Sequence, residues 1–206
     1  MLRLWGRTNS LNVMKVIWTL EELGLKYERR DAGMEFGVVN TPEYKAINPN
    51  SRVPTLEDEE FSLFESNTIV RYLCAKYDFG GMYPEDLRQR ANVERWMDWS
   101  TAQLHPVITP VFWNIVRCPV GQRNQKVIDD NIKLTNKTFE VLEWGLAKGP
   151  YVGGELFSMG DIVTGVWVHR WLALPIERPE MPLIQQYYQR LLARPAYRMH
   201  VAMPLS

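Results

Sequence analysis

The sequence predicts an α/β domain followed by an all-helical domain, and three features of the chain support this prediction. Strand-like and helical runs alternate up to about residue 78. A stretch rich in Gly and Pro follows over residues 78–84, and beyond it the apolar residues recur only at helical spacing. We therefore expect a first domain over residues 1–78, a linker over 79–87 and an all-helical domain over 88–206.

The first 30 residues have the pattern of a strand–helix–strand unit. Residues 2–5 are a short strand candidate, and the polar turn over 7–12 carries Ser and Asn side chains, which commonly cap helices. A helix then follows as far as Gly24, since Gly favours the position after a helix C-terminus. Its apolar positions are Val13, Val16, Ile17, Leu20 and Leu23. Residues 25–30 alternate between polar and apolar side chains, which predicts the second strand.

A short helix, a hairpin and a longer helix complete the first domain. Pro42 suits the first turn of a helix. Strand-like runs at 55–56 and 61–64 flank a polar turn, and Pro54 should begin the first of them because it cannot donate to a strand partner. A helix is expected from Ser66 to about Tyr77. The resulting order, βαβαββα, is the thioredoxin-like arrangement.

The second half is predicted to be helical throughout. A long helical pattern runs from residue 87 to about 116, and Pro106 and Pro110 inside it should each remove a hydrogen bond and kink or end the helix. Ser158 and Asp161 form a capping-box pattern before an apolar run. The remaining helices are expected over 126–146, 162–172 and 183–192, with a last short one starting at 194.

Charge and composition exclude several classes of protein. Lys plus Arg and Asp plus Glu both number 24, so electrostatics favour neither a nucleic acid nor a membrane surface as partner. No run approaches the roughly 18 apolar residues of a spanning helix, and the N-terminus lacks the shape of a signal peptide. Cys74 and Cys118 show no metal-binding spacing with the three histidines. We expect a reduced, cytoplasmic protein without a metal, with Cys74 buried and inert.

The stretch from Asn48 to Asn67 carries the clearest chemical pattern. A loop ending in Val53-Pro54 precedes the hairpin, and Glu65-Ser66 opens the next helix. Such a site suits a small zwitterionic peptide: Val53 could pair with it through its backbone, Glu65 could receive an ammonium, and Ser66 a carboxylate. The alternative is a plain β-turn-β-α corner with no ligand.

These residues resemble the glutathione-binding half of the cytosolic glutathione transferases. The motif Asn-Pro-x-x-x-Val-Pro-x-Leu begins at Asn48, and Glu-Ser-Asn-x-Ile-x-x-Tyr-Leu begins at Glu65. The Ser-x-x-Asp helix start and the later Arg-Pro-Ala also resemble that family. The resemblance implies a cis bond before Pro54, a γ-glutamyl end held by Glu65 and Ser66, and a two-fold homodimer. It also implies that Arg52 meets the glycyl carboxylate, although a solvated surface Arg is the alternative.

The resemblance further implies that Ser10 and Asn12 activate the thiol of glutathione. A free thiol has a pKa near about 8.5, so the protein must stabilise the thiolate with hydrogen bonds or dipoles. Ser10 aligns with the catalytic serine or threonine of the family, and Asn12 with an asparagine of some bacterial members. The loop contains no Tyr and no Cys, so we expect the bacterial Ser/Asn type. The alternatives are that both residues only cap the helix, or that Arg7 or Thr8 acts instead.

The electrophile pocket of the family lies in the helical domain, at the end of its long helix. There Arg117 could hold an anionic group, and the alternative is that it is an ordinary solvated cation at a helix end. Phe112 and Trp113 could form an apolar wall, and the alternative is that they pack in the core. We therefore expect a glutathione S-transferase acting on a small electrophile, and the narrower hypothesis is an anionic one such as a halo acid. Glutathione-dependent disulfide or peroxide reduction, and a non-catalytic binding role, are the competing functions.

Overall fold

A computed structural model of the chain describes residues 1–206 and contains one mixed four-stranded sheet. The strand order is β2-β1-β3-β4, with β1 parallel to β2, β1 antiparallel to β3, and β3 antiparallel to β4. The strands are β1 (Leu2–Trp5), β2 (Tyr27–Arg30), β3 (Thr55–Asp58) and β4 (Phe61–Phe64).

Three helices alternate with these strands, and the predicted order βαβαββα is confirmed. They are α1 (Leu11–Glu22), α2 (Pro42–Ile47) and α3 (Ser66–Tyr77). Strand β2 starts two residues later than predicted, because the Leu25 N–H donates to the Leu20 carbonyl at 3.0 Å and so extends the end of α1. A cluster of nine buried apolar residues fills the space between the sheet and its helices, including Leu4 on β1 and Leu56 on β3.

The rest of the chain is helical, as predicted, and no strand follows β4. A segment of π-helix interrupts the first long helical run at Ser100–Leu104, and a second one, Trp113–Arg117, ends it. The α-helices are α4 (Leu87–Trp99), α5 (His105–Phe112), α6 (Gln125–Leu146), α7 (Met159–Ala173), α8 (Pro182–Leu192) and α9 (Pro195–His200).

The two prolines of the long helix are accommodated without ending it. Helical backbone continues from Leu87 to Arg117. A proline clashes with the carbonyl four residues earlier, which for Pro106 is that of Ala102. Ala102 lies within the first π segment, where the wider turn leaves room for the ring. The second π segment lies just beyond Pro110.

Helices α1, α7 and α9 join the two halves of the molecule. The ring centroid of Trp18 lies 4.7 Å from that of Tyr197 and 5.6 Å from that of Phe157. Beside them, the Arg194 guanidinium donates to both carboxylate oxygens of Glu22, at 2.8 and 2.6 Å. A single apolar cluster of 30 buried residues contains side chains from both halves. The halves therefore share a core, which fixes the cleft between them.

The predicted capping box is present at the start of α7, which begins three residues earlier than expected. Asp161 accepts hydrogen bonds from the N–H groups of Ser158 and Val152, each at 2.9 Å. The Tyr187 hydroxyl also donates to it at 2.9 Å. Complete burial raises the pKa of the Asp161 carboxyl to about 6, although these donors oppose that shift.

The sequence analysis also made predictions about Cys74, membrane spans and metal sites. Cys74 is buried, as predicted, and burial raises the pKa of its thiol to about 12. None of the helices combines the length and apolar character that crossing a bilayer requires. No cluster of three or more His, Cys, Asp or Glu side chains could hold a metal ion.

Candidate active site

A cavity of about 500 Å³ lies in the cleft between the sheet domain and the long helix. Its walls come from α1, the loop before β3, the start of α3, the end of α4 and α7. The structure brings together here all five residues that the sequence assigned to glutathione: Arg52, Val53, Pro54, Glu65 and Ser66.

The loop before β3 is held against this cavity by buried polar side chains. The Val53–Pro54 bond is cis, as the resemblance implied. The Tyr44 hydroxyl donates to the carbonyl of Arg52 at 2.7 Å, and the Asn48 amide donates to the same carbonyl at 2.9 Å. Both side chains are buried, so the backbone at Val53 is fixed where a peptide ligand could pair with it. The Arg52 side chain is exposed at the cavity edge.

Glu65 immediately precedes α3 and holds an uncommon backbone conformation. Its φ is 68°, a left-handed value that costs a non-Gly residue on the order of 1–3 kcal/mol. Its carboxylate caps no N–H of the helix, while Ser66 is the first helical residue and only 7% exposed. The strained backbone thus places a free carboxylate beside a buried hydroxyl at a helix N-terminus.

Lys15 is a cavity residue that the sequence analysis missed. It lies on α1, is 3% exposed, and its Nζ donates to Asn67 Oδ1 at 3.0 Å and to Ser66 Oγ at 3.5 Å. Burial lowers the pKa of this ammonium to about 7, and the charge of Arg170 lowers it further in the same direction. A buried amine therefore lies directly beside the hydroxyl expected to meet a carboxylate.

Ser10 and Asn12 flank the start of α1 and face the same region. Ser10 is the residue before the helix and is buried, but its hydroxyl makes no capping hydrogen bond. This removes one alternative for Ser10, because a hydroxyl engaged as a cap could not serve a ligand in the same way. Asn12 Oδ1 accepts a hydrogen bond from Ser66 Oγ at 3.3 Å, which links the loop to the start of α3.

A second, smaller cavity of about 130 Å³ adjoins the first. The two share Asn12, His105 and Trp167 in their walls. Ser10 lines the second cavity, together with all three residues predicted for the electrophile: Phe112, Trp113 and Arg117. Phe112 is buried, whereas Trp113 is about half exposed.

Three arginines line this second cavity, and the sequence analysis assigned only Arg117 to it. Arg170, on α7, is 8% exposed, and its guanidinium carbon lies 3.8 Å from the Phe112 ring centroid. Arg7 precedes α1 and was considered only as a polar alternative near the thiol. Burial lowers the pKa of Arg170 to about 9, with the charge of Arg117 contributing. His105 was assigned no role, and burial lowers the pKa of its imidazole, with Lys15 and Arg170 adding to the effect.

Comparisons with known proteins show which family this chain belongs to. Residues 1–75 match the family model for the N-terminal domain of glutathione S-transferase, and residues 101–195 match the model for its C-terminal domain. Glutathione S-transferase GstB of Escherichia coli K12 is 39% identical over 208 residues, with 100% of both chains covered. The chain belongs to the glutathione S-transferase family. Glutathione S-transferase 4 of Zea mays is 31% identical, covering 95% of this chain and 89% of that one.

Solved structures show the same relationship at full length. The theta class glutathione S-transferase of the citrus canker pathogen Xanthomonas axonopodis pv. citri, with glutathione bound, superimposes with a TM-score of 0.96. It is 42% identical, with 100% of this chain and 99% of that chain covered. Its apo form gives a TM-score of 0.87 at 38% identity, with coverage of 100% and 98%. The protein is thus an enzyme of the glutathione S-transferase family, similar to a theta class member.

Proposed function

We propose that this glutathione S-transferase binds glutathione in the larger cavity, activates its thiol beside Ser10 and Asn12, and transfers it to a small anionic electrophile such as a halo acid. The main support for an anionic electrophile is the group of arginines in the adjoining cavity, which form no salt bridge. No Asp or Glu lines that cavity, so no carboxylate of its wall pairs with these cations.

Glutathione would lie with its γ-glutamyl end at the start of α3. The free carboxylate of Glu65 would receive the ammonium, while Ser66 and Lys15 would share the neighbouring carboxylate. The backbone of Val53 would pair with the peptide, and Arg52 would meet the glycyl carboxylate from the edge of the cavity. The structure of the Xanthomonas relative has glutathione bound, which supports glutathione as the ligand of this chain.

The thiol would then lie near Asn12, where the two cavities meet. A hydroxyl from Ser10 or an amide from Asn12 donating to sulfur favours the thiolate over the thiol, which lowers the pKa of the bound thiol. The N-terminus of α1 adds a positive dipole at the same point. These donors are fixed before the substrate arrives, so stabilising the anion requires little reorganisation.

The electrophile would occupy the second cavity with its carboxylate on Arg117. A guanidinium binds a carboxylate through two parallel hydrogen bonds, which would orient the adjacent carbon toward sulfur. Sulfur would form a bond to that carbon, and the halide would leave with the electron pair of the carbon–halogen bond. Phe112 and Trp113 would exclude water from one side.

A substrate panel tests this function. We expect the enzyme to bind glutathione and to turn over a halo acid better than a neutral chloroaromatic, a hydroperoxide or a mixed disulfide. Arg117→Ala should raise KM for the halo acid about tenfold, since a hydrogen bond to a charged group contributes about 1.5–3 kcal/mol. Arg117→Lys should recover only part of the loss, because an ammonium keeps the charge but not the paired geometry.

The glutathione affinity of Arg117→Ala serves as the control and should stay nearly unchanged. Faster turnover of the neutral chloroaromatic by the unmodified enzyme would contradict the anionic preference. Faster turnover of the hydroperoxide or the mixed disulfide would instead favour the reductase or peroxidase alternative.

We also propose that the enzyme is a homodimer. Several large apolar side chains are exposed on α6, and their spacing of seven and three residues places them on one face of that helix. They are Leu134, Val141 and Trp144. Phe61, on the edge strand β4, is half exposed as well. Sedimentation at micromolar concentration should give twice the 24.1 kDa chain mass, and a monomer would contradict the proposal.

A further inference from the structure

The second cavity gathers three guanidinium groups from elements far apart in the sequence. Arg7 comes from the loop before α1, Arg117 from the end of the second π segment and Arg170 from α7. None of the three forms a salt bridge, and their side chains donate no hydrogen bond. The Nε atoms of Arg7 and Arg117 are buried without an acceptor. The protein therefore pairs none of these cations with a carboxylate, although Arg117 and Arg170 lie over aromatic rings.

No acidic side chain in the wall of this cavity offsets the charge of the three arginines. The cavity wall contains no carboxylate, and its titratable residue besides the arginines is His105, whose pKa is lowered. Glu35 is the acidic residue whose charge acts on Arg7, but it makes no ion pair with that arginine. In the adjoining cavity the charge of Glu65 acts on Lys15, whose ammonium itself lies near Arg170.

Holding like charges together in a small, partly enclosed cavity is unfavourable unless an anion joins them. Burial and the charge of Arg117 lower the pKa of both Arg7 and Arg170, which reports this mutual repulsion. Buried charges are retained in proteins when they are paired. The thiolate of glutathione supplies one negative charge, and a monocarboxylate a second. One arginine would then still lack a partner.

We infer that the preferred electrophile is a short dicarboxylate, with one carboxylate on Arg117, the other on Arg170, and Arg7 facing the thiolate. This inference rests on the proposed function and narrows its substrate class. The guanidinium carbons of Arg117 and Arg170 lie 5.7 and 3.8 Å from the same Phe112 ring centroid, so both can serve one small molecule. A cavity of about 130 Å³ has room for about ten non-hydrogen atoms, which suits a four-carbon diacid.

The reaction of a 2-halo diacid balances without a further reagent. The thiol proton passes to solvent, sulfur forms a bond to the halogen-bearing carbon, and the halide leaves with the electron pair of the broken bond. Both carboxylates keep their charge throughout, so the two arginines hold the substrate and the thioether product alike. The second carboxylate therefore acts mainly through binding and orientation.

The experiment compares two substrates that share a reacting centre. In 2-bromosuccinate and 2-bromobutanoate a secondary C–Br bond adjoins one carboxylate, and they differ in a carboxylate or a methyl group at the far end. After subtraction of the uncatalysed rates, we expect kcat/KM for the diacid to be at least about tenfold higher, the contribution of one charged hydrogen-bonded contact. Succinate should also inhibit the enzyme at least about tenfold more strongly than butyrate, by the same contact.

Variants then connect the preference to the arginines. Arg170→Met should lower kcat/KM for the diacid at least tenfold more than that for the monoacid, and Arg170→Lys should restore part of the difference. Arg95→Met is the control. Arg170 lies over a tryptophan, with its guanidinium carbon 5.6 Å from the Trp167 ring centroid, and Arg95 likewise lies 5.7 Å from that of Trp96 but is exposed and lines neither cavity. If Arg170→Met does not fold, the inhibition of the unmodified enzyme by succinate and by butyrate still decides whether its site prefers a dicarboxylate.

The outcomes separate this inference from the proposed function. If 2-bromobutanoate is turned over as fast as 2-bromosuccinate or faster, and both are better substrates than the neutral chloroaromatic, the preference for a dicarboxylate is wrong. The preference for an anionic electrophile would then still hold. A diacid preference that survives in Arg170→Met would likewise overturn the assignment of Arg170. Faster turnover of the neutral chloroaromatic than of either acid would overturn both.

Discussion

Glu65→Ala is expected to raise the dissociation constant for glutathione at least about tenfold, because a hydrogen bond to a charged group contributes about 1.5–3 kcal/mol. The carboxylate of Glu65 forms no hydrogen bond or salt bridge in the protein, so its loss chiefly removes a contact with the ligand, although its charge also raises the pKa of Lys15. Its left-handed backbone conformation holds it beside Ser66 before the ligand binds. Isothermal titration with glutathione measures the change directly.

The fold should survive this substitution. Glu65 is exposed and forms no side-chain cap, and a carboxylate near a helix N-terminus contributes only about 0.3–1 kcal/mol. Glu60→Ala is a suitable control, since Glu60 is an exposed carboxylate in the turn before β4 and does not line the cavity. Unchanged glutathione affinity in a folded Glu65→Ala variant would rule out the assignment of this residue to the ammonium.

Lys15, next to Ser66, should make the affinity for the γ-glutamyl end of the ligand depend on pH. Because the pKa of Lys15 in the free protein is lowered to about 7, the amine becomes increasingly neutral above that pH. Holding a carboxylate then requires proton uptake, so the affinity for S-methylglutathione, which has no thiol to titrate, should fall as the pH rises from 7 to 8. Lys15→Met should bind more weakly at pH 6 and lose this dependence. An affinity that does not change with pH in the unmodified protein would contradict the assignment of Lys15 to the ligand carboxylate.

Much of the fold was predictable because the period of the apolar residues changes along the chain. Alternation and helical spacing mark the elements of the first half, while the second half shows helical spacing alone. The end of β2 nearest α1 was misplaced because Leu25 satisfies its N–H with the Leu20 carbonyl instead of a strand partner. The path through Pro106 was not predictable either, since a local change to π-helix depends on hydrogen bonds that the pattern of residues does not reveal.

The site was predictable only where its residues are close in sequence. Val53, Glu65 and Ser66 fall within one short stretch, so their motif is visible in the chain. Lys15 and Arg170 reach the cleft from helices that meet only in the folded molecule. Both nevertheless leave a signal. Lys15 falls four residues after the buried Leu11, on the same face of α1, and Arg170 is a charge in a helix buried on nearly all sides.

The prediction with the largest effect on turnover concerns Ser10. Ser10→Ala should raise the pKa of the bound thiol and lower kcat about 100-fold, since losing one donor to a developing anion typically lowers the rate by about 10²–10³. Glutathione affinity should change much less, because the expected contacts to the γ-glutamyl and glycyl ends of the ligand do not involve the thiol. The ultraviolet band of the thiolate, titrated against pH with glutathione bound, measures the thiol pKa directly.

Parallel titrations of Asn12→Ala and Ser10→Thr identify which donor acts. Ser10→Thr keeps the hydroxyl and should retain most of the thiolate, which a purely packing role for Ser10 would not require. The geometry leaves Asn12 as a rival, because it lies in the walls of both cavities, whereas Ser10 lines only the smaller one. A pKa that rises only in Asn12→Ala transfers the role to the amide. A pKa that rises in neither variant would assign stabilisation of the thiolate to the N-terminus of α1 or to another positive group of the smaller cavity, of which Arg7 lies in the same loop as Ser10.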